Sequence, residues 1–150
     1  MNIIEKFDYA SIEFLKKASI PFARFAIFII YFWFGILKIF DTSAAIPLVE
    51  KLMEKTFLAS LMTPETFLVI FSIYEMAIGI LFLIPRLQRP AILLFSLHMV
   101  MTGMPLVLLT ETSWQSFLTP TLEGQYIIKN LSLIALVAFI GSRLTPLKDK

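Results

Sequence analysis

From Pro90 to Thr110 the chain runs 21 residues without a formal charge. A helix crossing the hydrocarbon core of a bilayer needs about 20 such residues. Backbone in lipid must satisfy its own hydrogen bonds, so a run of this kind has to be helical. Three more stretches pass the same test with more interruption. Pro21–Phe40 carries Arg24 and Lys38 near its ends, where long side chains can snorkel. Phe67–Ile84 carries one charge, Glu75, and Gln125–Ile140 contains Lys129 and Asn130. Composition agrees. Apolar residues are 58% of 150 and charged residues 16%, against about 45–50% and 25% in soluble domains. A small domain has too much surface to hide that excess. A soluble enzyme and a disordered tail are excluded. A net charge of +2 points to no nucleic-acid partner. With no Cys there is neither a disulfide nor a thiolate metal site.

Punctuation marks the limits of the spans. Thr63-Pro64 and Thr119-Pro120 each set a capping hydroxyl before a first-turn proline, ahead of the second and fourth spans. The Pro85–Pro90 link is short enough to make the second and third spans an antiparallel hairpin. Gly141 stands where the fourth should stop. In residues 2–18, Ile4, Phe7, Phe14, Leu15 and Ala18 share one helical face, with charges mainly elsewhere. Residues 44–62 set Ile46, Val49, Leu52 and Met53 against Glu50, Lys51, Glu54 and Lys55. Both read as amphipathic helices lying on the membrane. The expected fold is a single domain over residues 1–150. It is an all-α membrane protein, a four-transmembrane-helix bundle with an N-terminal amphipathic interfacial helix and a second short one in the first outer loop. Ser43-Ala44-Ala45 has the small residues of a signal-peptide cleavage site, but the long mixed-charge stretch before the first span points to an uncleaved helix.

Lys and Arg accumulate on the cytoplasmic side of membrane proteins. Placing both termini inside puts nine basic residues there (Lys6, Lys16, Lys17, Arg24, Arg86, Arg89, Arg143, Lys148 and Lys150) and four outside (Lys38, Lys51, Lys55 and Lys129). Both termini are therefore expected in the cytoplasm, with the chain in a cell inner membrane. Membrane lipids are its immediate partners, and a homo-oligomer is compatible with the pattern.

Ionisable groups at bilayer depth are costly and usually have a partner or a task. Glu75 lies ten residues before Pro85 and His98 eight after Pro90, so their depths differ by roughly 3 Å. Gly79 and Ser72 beside Glu75, and Thr102 beside His98, permit close helix contact. Glu75 and His98 are the candidate catalytic pair, handling a proton, with a plain interhelical hydrogen bond as the structural alternative. Lys38 and Lys129 both sit toward the outer side. With Tyr126 and Asn130 they are the candidate ligand-binding residues of an outward-opening polar pocket for an acidic headgroup or quinone oxygens. His98 and Met101 share a helical face, which suits Cu(I). Methionine more often fills gaps in apolar cores, and a second strong ligand is missing, so no metal is expected. The aromatic run from Phe25 to Phe34, Tyr31 included, reads as packing and lipid contact.

Several of these residues form a familiar pattern. Phe32-Trp33-Phe34-Gly35-Ile36-Leu37-Lys38-Ile39-Phe40 resembles the first-span signature of the DoxX-like membrane proteins. Glu75-Met76-Ala77-Ile78-Gly79-Ile80-Leu81 resembles their second span, and Ile128-Lys129-Asn130-Leu131 the polar start of their fourth. Ile46-Pro47-Leu48-Val49 is similar to the first loop of the YkgB/RclC-like branch. The resemblance covers about residues 22–141. It implies a four-helix membrane bundle in which Lys38, Glu75 and Lys129 occupy matching polar positions; His98 rests on the depth argument alone. Some such proteins are linked to quinone-dependent oxidation, among them thiosulfate:quinone oxidoreductase subunits, or to membrane redox-defence complexes. Others resemble assembly factors without catalysis. The expectations are thus a redox-associated subunit that binds a quinone or lipidic molecule beside a redox partner subunit, or a non-catalytic assembly or stress-response protein. A small proton-coupled transporter inserted in both orientations fits the basic asymmetry less well.

Overall fold

The computed structural model describes residues 2–147; Lys148 and Lys150, counted above as basic residues, lie outside that range. Eight helices and one small hairpin make up the chain: α1 (Ile3–Ile39), α2 (Ile46–Glu54), α3 (Pro64–Leu83), α4 (Gln88–Gly103), α5 (Pro105–Leu108), α6 (Thr110–Ser113), β1 (Trp114–Ser116), β2 (Thr119–Pro120), α7 (Leu122–Ile128) and α8 (Asn130–Gly141). Four helical stretches are long and apolar enough to cross a membrane: Ile3–Ile39, Pro64–Leu83, Pro85–Leu108 and Leu122–Gly141. The chain is a multi-pass membrane protein by that measure.

The N-terminal amphipathic segment and the first span are one helix of 37 residues, with Pro21 inside it. Asn2 and Glu5 close its start reciprocally: the Asn2 side chain accepts from the Glu5 N–H at 2.8 Å, and Glu5 accepts from the Asn2 N–H at 2.9 Å. Proline near a helix start costs little, but inside a helix it removes a rung. Here good helix formers on both sides carry the helix through. Arg24 donates to the Phe82 and Leu83 carbonyls at the end of α3, at 2.7 and 2.5 Å. The helix before Ile20 therefore runs past the end of α3 by about 27 Å, with Ile4, Phe7, Phe14 and Leu15 exposed.

At its other end α1 stops in a left-handed turn. Asp41 has φ 55°, its N–H bonds the Lys38 carbonyl, and the Thr42 N–H bonds the Leu37 carbonyl. The connection to α3 holds α2, which buries Met53 and turns its charged face outward, and a 3-10 turn at Phe57–Ser60. Thr63 caps α3 as its sequence suggests, accepting from the Thr66 N–H, with Pro64 in the first turn.

Two expectations about the outer half change. Thr119-Pro120 does not cap the fourth span. It pairs as β2 with β1, across a turn where Leu118 has φ 55°, and Thr121 caps α7 instead, accepting from the Gly124 N–H at 3.1 Å. Thr121 also donates its hydroxyl to the Thr112 carbonyl and its N–H to the Ser113 carbonyl, which ties the hairpin to the helix start. The third and fourth spans are each interrupted. Pro105 has no N–H to offer Met101, so α4 ends at Gly103 and α5 restarts at Pro105. In the fourth span the Ser132 N–H and hydroxyl both close onto the Lys129 carbonyl, at 3.0 and 2.6 Å, which separates α7 from α8.

The core joins Ala23, Ile27 and Tyr31 of α1, Ile78 and Phe82 of α3, Ala91 and Phe95 of α4, and Val137 and Ile140 of α8. Within it α1 and α3 cross closely, at two glycines. A Cβ on Gly35 would meet Met76 Cγ at 2.7 Å and the Ser72 carbonyl at 3.0 Å; one on Gly79 would meet the Phe28 carbonyl and Tyr31 Cβ at 3.2 Å. In lipid, where water drives no association, such close backbone packing is a main source of helix affinity.

Candidate functional site

The α1–α3 crossing decides what the polar groups meet. Lys38 lies nearly one turn beyond Gly35 on α1, and Glu75 one turn before Gly79 on α3, so the close approach presses ammonium against carboxylate. Lys38 Nζ donates to Glu75 Oε2 at 2.6 Å, and more weakly to the Phe34 carbonyl at 3.4 Å. The second carboxylate oxygen, Oε1, lies 3.0 Å from His98 Nε2 of α4. The other ring nitrogen, Nδ1, lies 3.0 Å from the Tyr31 hydroxyl, which returns the line to α1 two turns from Lys38. All four residues are buried, Lys38 at 8% exposure, Glu75 at 6%, His98 and Tyr31 at 4%.

One protonation pattern satisfies every atom of this line at no net charge. Lysine only donates and an ionised carboxylate only accepts, so Glu75 takes one proton from Lys38 and one from His98 Nε2–H. Neutral His98 then carries its proton on Nε2 and accepts at Nδ1 from the Tyr31 hydroxyl. The tautomer is assigned by this network. Aromatic rings complete the wall: Phe71 stacks on His98 at 5.1 Å between centroids, and Tyr31 meets it edge-on at 5.0 Å. A proton entering at Tyr31 and one leaving at Nε2 would invert both hydrogen bonds of the imidazole without moving a ring. The geometry is that of a short proton relay.

The pairing of Glu75 with His98 is the one that their matched depths suggest. Lys38 departs from expectation: it turns inward to Glu75 rather than lining an outward pocket with Lys129. Lys129 is exposed, and its ammonium sits over the Tyr126 ring at 4.0 Å. Tyr126 is itself 54% exposed. Asn130 lies elsewhere again. With Met99, Thr102, Gly103, Leu106 and neighbouring residues of α7 and α8 it lines a half-open groove of about 190 Å³. Tyr31 is the member of the line that the sequence reading missed. Its signal was position: it stands seven residues before Lys38, hence on the same face of α1, and brings a hydroxyl to a run otherwise of Phe and Trp.

Searches against family models, curated proteins and solved structures found no match to this chain.

Proposed function

We propose that this chain is a redox-associated inner-membrane protein that binds a quinone-like or lipidic molecule and passes protons to it through Tyr31, His98 and Glu75, with Lys38 holding the carboxylate ionised. The observation that carries the reading is the unbroken line of four titratable side chains from three helices, in a core that otherwise offers only apolar contacts. A structural hydrogen bond would need two of them; a route for protons needs the series. Reducing a quinone takes two electrons and two protons. The electrons would arrive from a partner redox subunit, since the chain has no Cys, and this chain would serve the protons. The apolar groove beside Asn130 fits such a molecule, being open on one side and poor in polar lining.

In this reading the spans form a four-helix bundle with both termini cytoplasmic. The first helix bends at Pro21 to lay Ile4, Phe7, Phe14 and Leu15 on the membrane surface, and α2 caps the outer side. Mass spectrometry of small molecules that co-purify with the full chain in mild detergent tests the reading: quinone is expected in the wild type. A second reading is favoured by one observation, that no member of the line faces the groove and each is satisfied by its neighbours. The line would then be a polar lock holding three helices of an assembly protein. Recovery of an intact partner complex without quinone, together with unchanged complex formation in Tyr31→Phe, is the result that would favour it.

A further inference from the structure

Two helix interruptions lie against one groove. On one wall are Gly103 and Leu106, on either side of the Met104-Pro105 break between α4 and α5; on the other are Ile128 and Asn130, on either side of the break at Lys129. Paired interruptions of spanning helices are where membrane proteins commonly open room for a ligand. The remaining wall is apolar, from Met99, Ile127, Leu131 and Ile134. Two polar side chains reach it. Thr102 spends its hydroxyl proton on the His98 and Met99 carbonyls, at 3.0 and 3.3 Å. Asn130 makes no side-chain hydrogen bond among the described residues. A carboxamide without a partner at bilayer depth is costly.

Depth restricts the partner. Asn130 is about 12 Å along the fourth span from its Leu122 end, well inside a hydrocarbon layer of about 30 Å. Phospholipid ester carbonyls stay at the interface and do not reach it. A carboxamide both donates and accepts, so it serves a ligand whose oxygen alternates between carbonyl and hydroxyl. We infer that the groove seats the ring of a quinone-class molecule, its carbonyl accepting from the Asn130 NH₂ group and its hydrocarbon tail running out into the bilayer. This rests on the quinone reading above, and adds a location one helical turn from His98. The reduced ring presents its hydroxyl to the Asn130 carbonyl oxygen, so the same residue holds both forms.

The chain carries its own reporter. Trp114 Nε1 donates to the Leu106 carbonyl at 2.9 Å, so its indole is anchored to the groove wall. The other tryptophan, Trp33, is 62% exposed on α1. In a Trp33→Phe background, the full chain in lipid nanodiscs is titrated with a short-chain ubiquinone while Trp114 fluorescence is followed. Saturable quenching is expected, with apparent affinity at least tenfold weaker in Asn130→Leu. Gly103→Leu gives a second variant that is not a folding risk: an added Cβ there meets nothing within 4 Å, and leucine favours the helix. It should fill the groove and weaken binding as much, with Asn130 intact. Saturable quenching untouched by both variants would overturn the groove while leaving a quinone site elsewhere. Quenching that only rises linearly, as for partition into lipid, would overturn both.

Discussion

Without the Glu75 charge, the Lys38 ammonium is left in the core with only the distant Phe34 carbonyl for a partner. Removing one member of a buried pair costs about 3–5 kcal/mol, chiefly because the other charge stays behind. Glu75→Gln alone is therefore expected to destabilise by that order, although the amide can still accept from His98. Lys38→Met in the same chain removes the stranded charge, and the double variant should regain most of the loss in a denaturation series in detergent. Equal losses in the single and double variants would show that the pair carries no such coupling. Tyr31→Phe leaves Nδ1 of a buried imidazole without its donor, an expected cost of about 1–3 kcal/mol. That Glu75 and His98 meet was readable from their distances to a six-residue link. Lys38 was not placed with them, because the connection from α1 to α3 is long and says nothing of how α1 is rotated. Tyr31 was hidden for a related reason: an aromatic run on a membrane helix looks the same whether a hydroxyl faces lipid or an imidazole.

Elements are placed by a few close contacts, and these make separate predictions. At Gly79 a Cβ would press on the Phe28 carbonyl and the Phe32 nitrogen at 3.2 and 3.3 Å, both backbone atoms that cannot rotate away. Gly79→Ala should cost about 1–3 kcal/mol as overpacking, and Gly79→Leu should separate α1 from α3 and break the Lys38–Glu75 contact with them. At the end of α1, Asp41 occupies a left-handed position where glycine carries no Cβ penalty. Asp41→Gly is expected to raise stability by about 0.5–1 kcal/mol, read as a shift in the same denaturation series; a loss would mean that the Asp41 side chain matters more than its backbone. The cap of α3 was legible because Thr63-Pro64 has no competing partner. That of α7 was not, because β pairing with Trp114–Ser116 claims Thr119-Pro120, and such pairing depends on residues several positions away.

For the molecule as a whole, the span count followed from length and apolarity, which need no knowledge of contacts. The interruptions at Met104-Pro105 and Lys129 did not, since a proline or a lysine in an apolar run is compatible with an unbroken helix when neighbours re-satisfy the backbone. Membrane orientation rests on the basic asymmetry and is open to direct labelling. Cysteines placed singly at Phe117, which is 91% exposed, and at Ser142, which is also exposed, should react with an impermeant thiol reagent from opposite sides. Reaction of both from the outside would reverse the assignment of the termini. The proton line is testable without any ligand, because the chain has a single histidine. Nitrogen-15 labelling of histidine, followed by solid-state NMR in lipid near neutral pH, reads one imidazole and nothing else. The line from Lys38 to Tyr31 requires a proton on Nε2 and a bare, accepting Nδ1, with the Nδ1 signal moving in Tyr31→Phe. A proton on Nδ1, an even mixture of tautomers, or spectra indifferent to Tyr31→Phe would contradict it.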